Sequence, residues 1–148
     1  ARPSEKEIIS ARLTDRPLRP LFPEGFYNET HIFINVISFD GENNGNILGT
    51  LGASASLAIS DIPWDGPVAS VSVGRINGEL IINPTNSQLE DSDLEIIISG
   101  TKKSIVMVEG GSRFISEEDL LTVIQYGHEA IKVDCATSGR TCKGMWQN

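Results

Sequence analysis

The stretch VASVSVGRINGELIIN, residues 68–83, decides the fold. Ala69, Val71 and Val73 alternate with Ser70, Ser72 and Gly74, which is the period-two pattern of a strand with one apolar face. Asn77-Gly78 follows, a pair suited to the two successive positive φ angles of a type I′ hairpin turn. ELIIN, residues 79–83, then returns as the partner strand until Pro84, which cannot donate to a ladder. A second antiparallel pair repeats the logic: DLEIIIS (93–99) and SIVMVE (104–109) flank the turn Thr101-Lys102-Lys103.

Helices surround these hairpins. Upstream, ILGTLGASASLAIS (47–60) carries Gly52, Ala53, Ala55 and Ala58, small residues that let a helix lie close on a sheet. Its glycines lack the Lys-Ser/Thr pair of a phosphate-binding loop, so a nucleotide cradle finds no support there. Asp61 to Pro67 is a dense turn cluster in which Trp64 reads as a packing residue. Downstream, Ser116 and Asp119 mark the start of a last helix with Leu120, Val123, Ile124 and Ile131 on one face. Beyond Lys132 the periodicity lapses, and residues 133–148 are expected to be a poorly ordered tail.

The N-terminal third reads as a helix, a loop and a strand. Ser4 and Glu7 form a capping box ahead of Ile8, Ile9, Ala11 and Leu13, and the helix is expected to end before Pro17. THIFINVISF (30–39) is rich in β-branched and aromatic residues and reads as a strand buried on both faces. Asp40 to Asn46 is a polar loop. The order of helix, strand, helix, two hairpins and helix gives an α+β class, with helices against a mainly antiparallel or mixed sheet.

Length and composition narrow the function classes. The chain has 148 residues, 39% hydrophobic and 22% charged, which suits one domain with a sizeable core. No run approaches the ~20 apolar residues of a membrane span, and the start lacks a secretory apolar core. Cys135 and Cys142 give neither a disulfide framework nor a zinc site, so a reducing, cytoplasmic setting is expected. His31 and His128 stand apart, with no Cys/His cluster at either.

A net charge of −8 argues against a surface that binds nucleic acid everywhere. The first twenty residues differ: Arg2, Lys6, Arg12, Arg16 and Arg19 against Glu5, Glu7 and Asp15 leave them at +2, and the remainder at −10. Arg12 and Arg16 lie four apart and share a helix face, where two guanidinium groups suit a phosphate clamp. Equally, each could pair with a carboxylate such as Asp15 or Glu24 and only fix the loop.

Five stretches carry a resemblance: RPSEKEI (2–8), ARLTDRPLRPLFPEGF (11–26), LGASASLAISDIPWDGPV (51–68), VGRINGELIINPT (73–85) and GHEAIK (127–132). Together they closely resemble the first RNase PH-like core domain of the bacterial polynucleotide phosphorylases, over residues 1–132. The resemblance implies an RNase PH-like core whose N-terminal strands are missing here. It implies a polyribonucleotide nucleotidyltransferase, an enzyme that degrades RNA from its 3′ end with inorganic phosphate, releases nucleoside diphosphates and runs in reverse. It further implies magnesium in the full enzyme, a homotrimer that threads single-stranded RNA, and a second RNase PH-like core in the same chain that carries the chemistry. In the family that second core holds phosphate-binding serines and metal-binding aspartates. This chain reads GTLGASAS (49–56) and SDLEIIISG (92–100) at the matching places. Asp93 and Glu95 keep two carboxylates while Ile97 stands at the lysine position, so the pair is read as a vestige and the isolated fragment as inactive. Arg12 and Arg16 match the family's R-x-x-x-R near the RNA channel and are the candidate RNA phosphate contacts, with Arg2 and Arg19 weaker ones. The alternative is a non-catalytic RNase PH-like scaffold that binds RNA and supports subunit assembly.

Overall fold

The computed structural model describes the chain from Pro3 to Met145, with side chains through Ala136. Four helices and four strands follow in the order α1 (Glu5–Leu18), a 3-10 turn (Arg19–Leu21), α2 (Gly45–Ile59), β1 (Ala69–Ile76), β2 (Glu79–Ile82), α3 (Asn86–Glu90), β3 (Leu94–Gly100), β4 (Ile105–Ser112) and α4 (Glu117–Met145). The strands form one sheet in the order β2-β1-β3-β4, antiparallel at every pairing. Asn77 and Gly78 take φ angles of 51° and 84°, as the type I′ turn requires, and set Ile76 opposite Glu79.

The sheet's two faces do different work. Ala69, Val71 and Val73 of β1 and Leu94, Ile96 and Ile98 of β3 form the core with Val123, Ile131 and Cys135 of α4. Gly127 lets α4 approach closely: a Cβ there would sit 2.5 Å from Ile98 Cδ1 and 3.1 Å from Val73 Cγ2. The opposite residues of the same strands include Ser70, Ser72 and Ser99, all buried, and the Ser70 and Ser99 hydroxyls bond to each other at 2.6 Å. A smaller cluster of Leu18, Ala53, Leu57 and Val68 joins α1, α2 and the turn, with Trp64 packed against it. Trp64 donates its indole N–H to the Leu18 carbonyl at 3.1 Å, the packing role expected of it. Ser54, fully buried, accepts the Val68 N–H at 2.9 Å and so ties α2 to the start of β1.

Local signals explain most helix ends. Ser4 and Glu7 make the predicted capping box, and Ser116 accepts the Asp119 N–H. Thr85 and Gln88 make a second box that starts α3, a helix the sequence reading left out. His128 Nε2 lies 3.1 Å from the Thr101 carbonyl and pins the β3–β4 turn to α4.

Three expectations need correction. The first helix does not stop before Pro17 but runs to Leu18 with Pro17 inside it. A proline in the last turn removes only one ladder bond, and Pro17 and Leu18 are both buried, so packing offsets that loss. The last helix does not lapse at Lys132: it continues to Met145, and Cys135 is 1% exposed against the core. Residues 30–39 form no strand. They pair with none of the four strands and are largely exposed, with Phe33 at 84% and Ile37 at 97%. A strand exists only with a neighbour to exchange backbone hydrogen bonds, and strong β composition cannot substitute for one.

Candidate nucleic-acid interface

The basic end of α1 is built by helix geometry. Glu5 and Glu7 occupy its first turn and Arg16 its last, the arrangement its dipole favours. Ile9 and Leu13 face β3 and β4 across a cleft of about 300 Å³ shared with Ile97, Glu95, Glu109 and Gly111. Arg16, one turn on from Arg12, reaches across to β4, where its Nη1 donates to Glu109 Oε2 at 3.0 Å. Arg19 folds back on its own helix and grips Asp15 with two nitrogens, at 2.7 Å and 3.1 Å. Arg12 is exposed and has no hydrogen-bond or ion-pair partner among the described residues. Arg2 lies outside the described residues.

The two readings of these arginines therefore divide residue by residue. Arg19 is a loop-fixing ion pair and takes Asp15, the carboxylate considered above as a partner for Arg12 or Arg16. Arg16 is also paired, but with Glu109, 93 residues away, rather than with a local carboxylate. Both partners of that pair stay about half exposed, at 49% and 42%, so the bond is weak and open to competition from a phosphate. Of the three described arginines of this segment, Arg12, Arg16 and Arg19, Arg12 is the one with an uncommitted guanidinium.

Asp93 and Glu95 meet a different fate. Asp93 accepts from Arg75 Nε at 3.0 Å and from Arg75 Nη2 at 2.7 Å, so both carboxylate oxygens are engaged. The Arg75 hydrogen bonds hold its carboxyl below the ordinary aspartate range, and the same bonds raise the guanidinium. Arg75 also stands 3.5 Å from Asp119 at the start of α4, joining β1, β3 and α4 into one charge network. Glu95 is exposed on the face of β3 opposite the core residues Leu94, Ile96 and Ile98, as alternation demands. Both line a shallow cleft of about 290 Å³ with Ser92, Ser112 and Arg113. Among the described residues, no group of three or more His, Cys, Asp or Glu side chains could hold a metal ion.

Sequence reasoning missed Arg75 and Glu109, the two residues that decide how these charges behave. No spacing rule links Arg75 to Asp93 or Arg16 to Glu109, because strand pairing and helix docking bring them together. The pairing of β1 with β3, which neither hairpin signal specifies, sets Gly74 opposite Glu95 and brings Arg75 near Asp93.

Two models of the 3′ exoribonuclease family match the chain, domain 1 over residues 1–63 and domain 2 over residues 66–130. The chain belongs to the 3′ exoribonuclease family. The two matches meet in the turn cluster around Trp64 that separates α1 and α2 from the sheet. Among curated relatives, the polyribonucleotide nucleotidyltransferase of Chlorobium phaeovibrioides is 57% identical over 136 residues, covering 92% of this chain and 19% of that protein. The polyribonucleotide nucleotidyltransferase of Desulfosudis oleivorans is 53% identical over 130 residues, covering 88% of this chain and 18% of that protein. The chain thus spans about a fifth of the length of these curated relatives. The crystal structure of rice (Oryza sativa) Rrp46 superposes with a TM-score of 0.75 at 14% identity, covering 96% of this chain and 68% of that one. That likeness supports the α+β fold of this 3′ exoribonuclease family member. No helix among the described residues is long and apolar enough to cross a membrane.

Proposed function

We propose that this chain is the first RNase PH-like core of a polyribonucleotide nucleotidyltransferase, a phosphorolytic 3′-5′ exoribonuclease that uses inorganic phosphate and releases nucleoside diphosphates. The observation that carries the proposal is the identity above 50% to enzymes of that name over about nine-tenths of the chain. In this reading the chain guides single-stranded RNA and supports a homotrimer in the cytoplasm, while a second core supplies the chemistry. Magnesium would act there by neutralising charge on the transferring phosphoryl group.

The state of Asp93 supports that division. A magnesium ion takes one or two free carboxylates, and Asp93 has spent both oxygens on Arg75. Glu95 by itself makes no site. Residues Asp93 and Glu95 therefore do not fit a metal, which favours a structural, RNA-guiding role over catalysis for this half.

Arg12 is the leading RNA phosphate contact, with Arg16 joining when a phosphate displaces Glu109; Arg19, and Arg2 by its position in the sequence, are subsidiary. Such contacts hold the strand without reading bases. The test compares RNA affinity of the longer enzyme with its Arg12→Ala and Arg16→Ala variants across salt concentrations. Each lost contact should weaken binding of every RNA sequence alike and lower the salt slope by about 0.7. Unchanged affinity and slope in the Arg12→Ala variant would remove the interface.

A further inference from the structure

Glu109 holds Arg16 from a distant part of the chain, and the sheet sets its place. In β4 it stands opposite Ile97 of β3, two residues before Gly111, which stands opposite Glu95. Alternation therefore puts Glu95, Ile97, Glu109 and Gly111 on the face of the sheet that meets α1. Ile9 and Leu13 line the same cleft, and Arg16, three residues beyond Leu13, extends that helix face to reach Glu109 Oε2 at 3.0 Å. Asp15, the acidic residue nearest to Arg16 in sequence, is engaged through both oxygens by Arg19. The manner of holding also differs. Arg19 grips Asp15, and Arg75 grips Asp93, with two nitrogens each. Arg16 meets Glu109 through one nitrogen and one oxygen, between side chains 49% and 42% exposed. The loosely held arginine is the one that lies a single turn from the uncommitted Arg12.

We infer that Glu109 is a positioning residue for the RNA strand: its carboxylate and the strand's phosphates alternate on Arg16, so that the hold of α1 on RNA is released as readily as it is made. This rests on the RNA-guiding reading of Arg12 and Arg16 and adds how that site lets go. RNA shortened from its 3′ end advances one nucleotide at a time, and every backbone contact along its path must be surrendered and remade at each advance. Arg12 and Arg16 stand about 6 Å apart along the helix axis, so neighbouring phosphates of one strand can engage both. When a phosphate leaves Arg16, Glu109 takes its place as acceptor, and one charge-assisted bond replaces another. The two states differ little in free energy because both are made at a surface open to water. Arg12, with no carboxylate of its own, keeps the strand near while Arg16 exchanges.

The test measures the affinity and dissociation rate of the longer enzyme for a single-stranded oligoadenylate, without magnesium or inorganic phosphate so that the strand is not consumed. Glu109→Gln keeps the shape of the side chain and removes its charge. It should tighten binding about two- to fivefold, the range of an exposed ion pair, and the change should lie in slower dissociation. In an Arg16→Ala background the gain should shrink, because no guanidinium is left to be set free. Plain repulsion between Glu109 and RNA has a different signature: faster association, and a gain at least as large without Arg16. That signature would overturn the inference, as would an unchanged affinity in Glu109→Gln. Weaker binding in Arg16→Ala with no gain in Glu109→Gln would remove the exchange and leave the interface standing. Unchanged binding in Arg16→Ala would remove the RNA contact of Arg16 itself, and the exchange with it.

Discussion

Replacing Gly127 by alanine should destabilise the chain, although alanine is the better helix former. Helix propensity alone favours the substitution by about 1 kcal/mol. Against this, the new Cβ lies 2.5 Å from Ile98 Cδ1, 3.1 Å from Val73 Cγ2 and 3.4 Å from Val71 Cγ2. Ile98, Val71 and Val73 are each 0% exposed, so the sheet side offers no solvent into which they could swing. Overpacking of this kind costs about 1–3 kcal/mol, leaving a net loss of about 1 kcal/mol. Ile98→Val removes the nearest methyl and by itself costs about 1 kcal/mol. In the double variant the two defects relieve each other, so its loss should fall short of the sum by about 1 kcal/mol. Urea unfolding followed by far-ultraviolet circular dichroism reads these differences, with a midpoint drop of about 0.5 M for Gly127→Ala. Strict additivity, or stabilisation by the alanine, would mean that α4 does not sit on the sheet at this distance.

Two further expectations rest on the charge network and the core. Asp93 has a folded-state pKa below its unfolded value, so its contribution is present above the ordinary aspartate range and is lost as pH falls through the lowered folded value. Asp93→Asn should therefore lower the melting temperature at pH 7, with a gap from wild type that closes as pH drops below about 4; a gap independent of pH would remove the Arg75 pairing as its cause. Burial raises the Cys135 thiol above its ordinary value, and the side chain is 1% exposed. In a Cys142→Ser background, alkylation of Cys135 should be suppressed until urea unfolds the chain, and fast reaction in native buffer would contradict the continuation of α4 past Lys132.

What was legible in the sequence was what is local. Asn77-Gly78 announced its turn, Ser4 with Glu7 announced a helix start, and the alternation of Val71, Ser72 and Val73 gave the buried face of β1. Thr85 with Gln88 carried the same kind of signal for α3, but over a helix of five residues it was passed over. Pro17 misled because its cost falls with proximity to a helix end, which is set by what it packs on. Residues 30–39 misled for a deeper reason. Their composition records suitability for burial between strands, whereas strand formation depends on a partner that no local pattern supplies. The candidate interface divided the same way. The shared face of Arg12 and Arg16 follows from the 3.6-residue turn, but the capture of Arg16 by Glu109 and of Asp93 by Arg75 follows only from the packed fold. The first capture takes Arg16 from the row of arginines, and the second makes Asp93 part of a structural brace.

The most direct measurement of this division of labour is phosphate-dependent release of nucleoside diphosphate from poly(A) with magnesium, by this chain alone and with a second core supplied. The account predicts no release by the chain alone and release on addition. Release by the chain alone would mean that Asp93 and Glu95 work at the chemistry and that the Arg75 brace opens to let them.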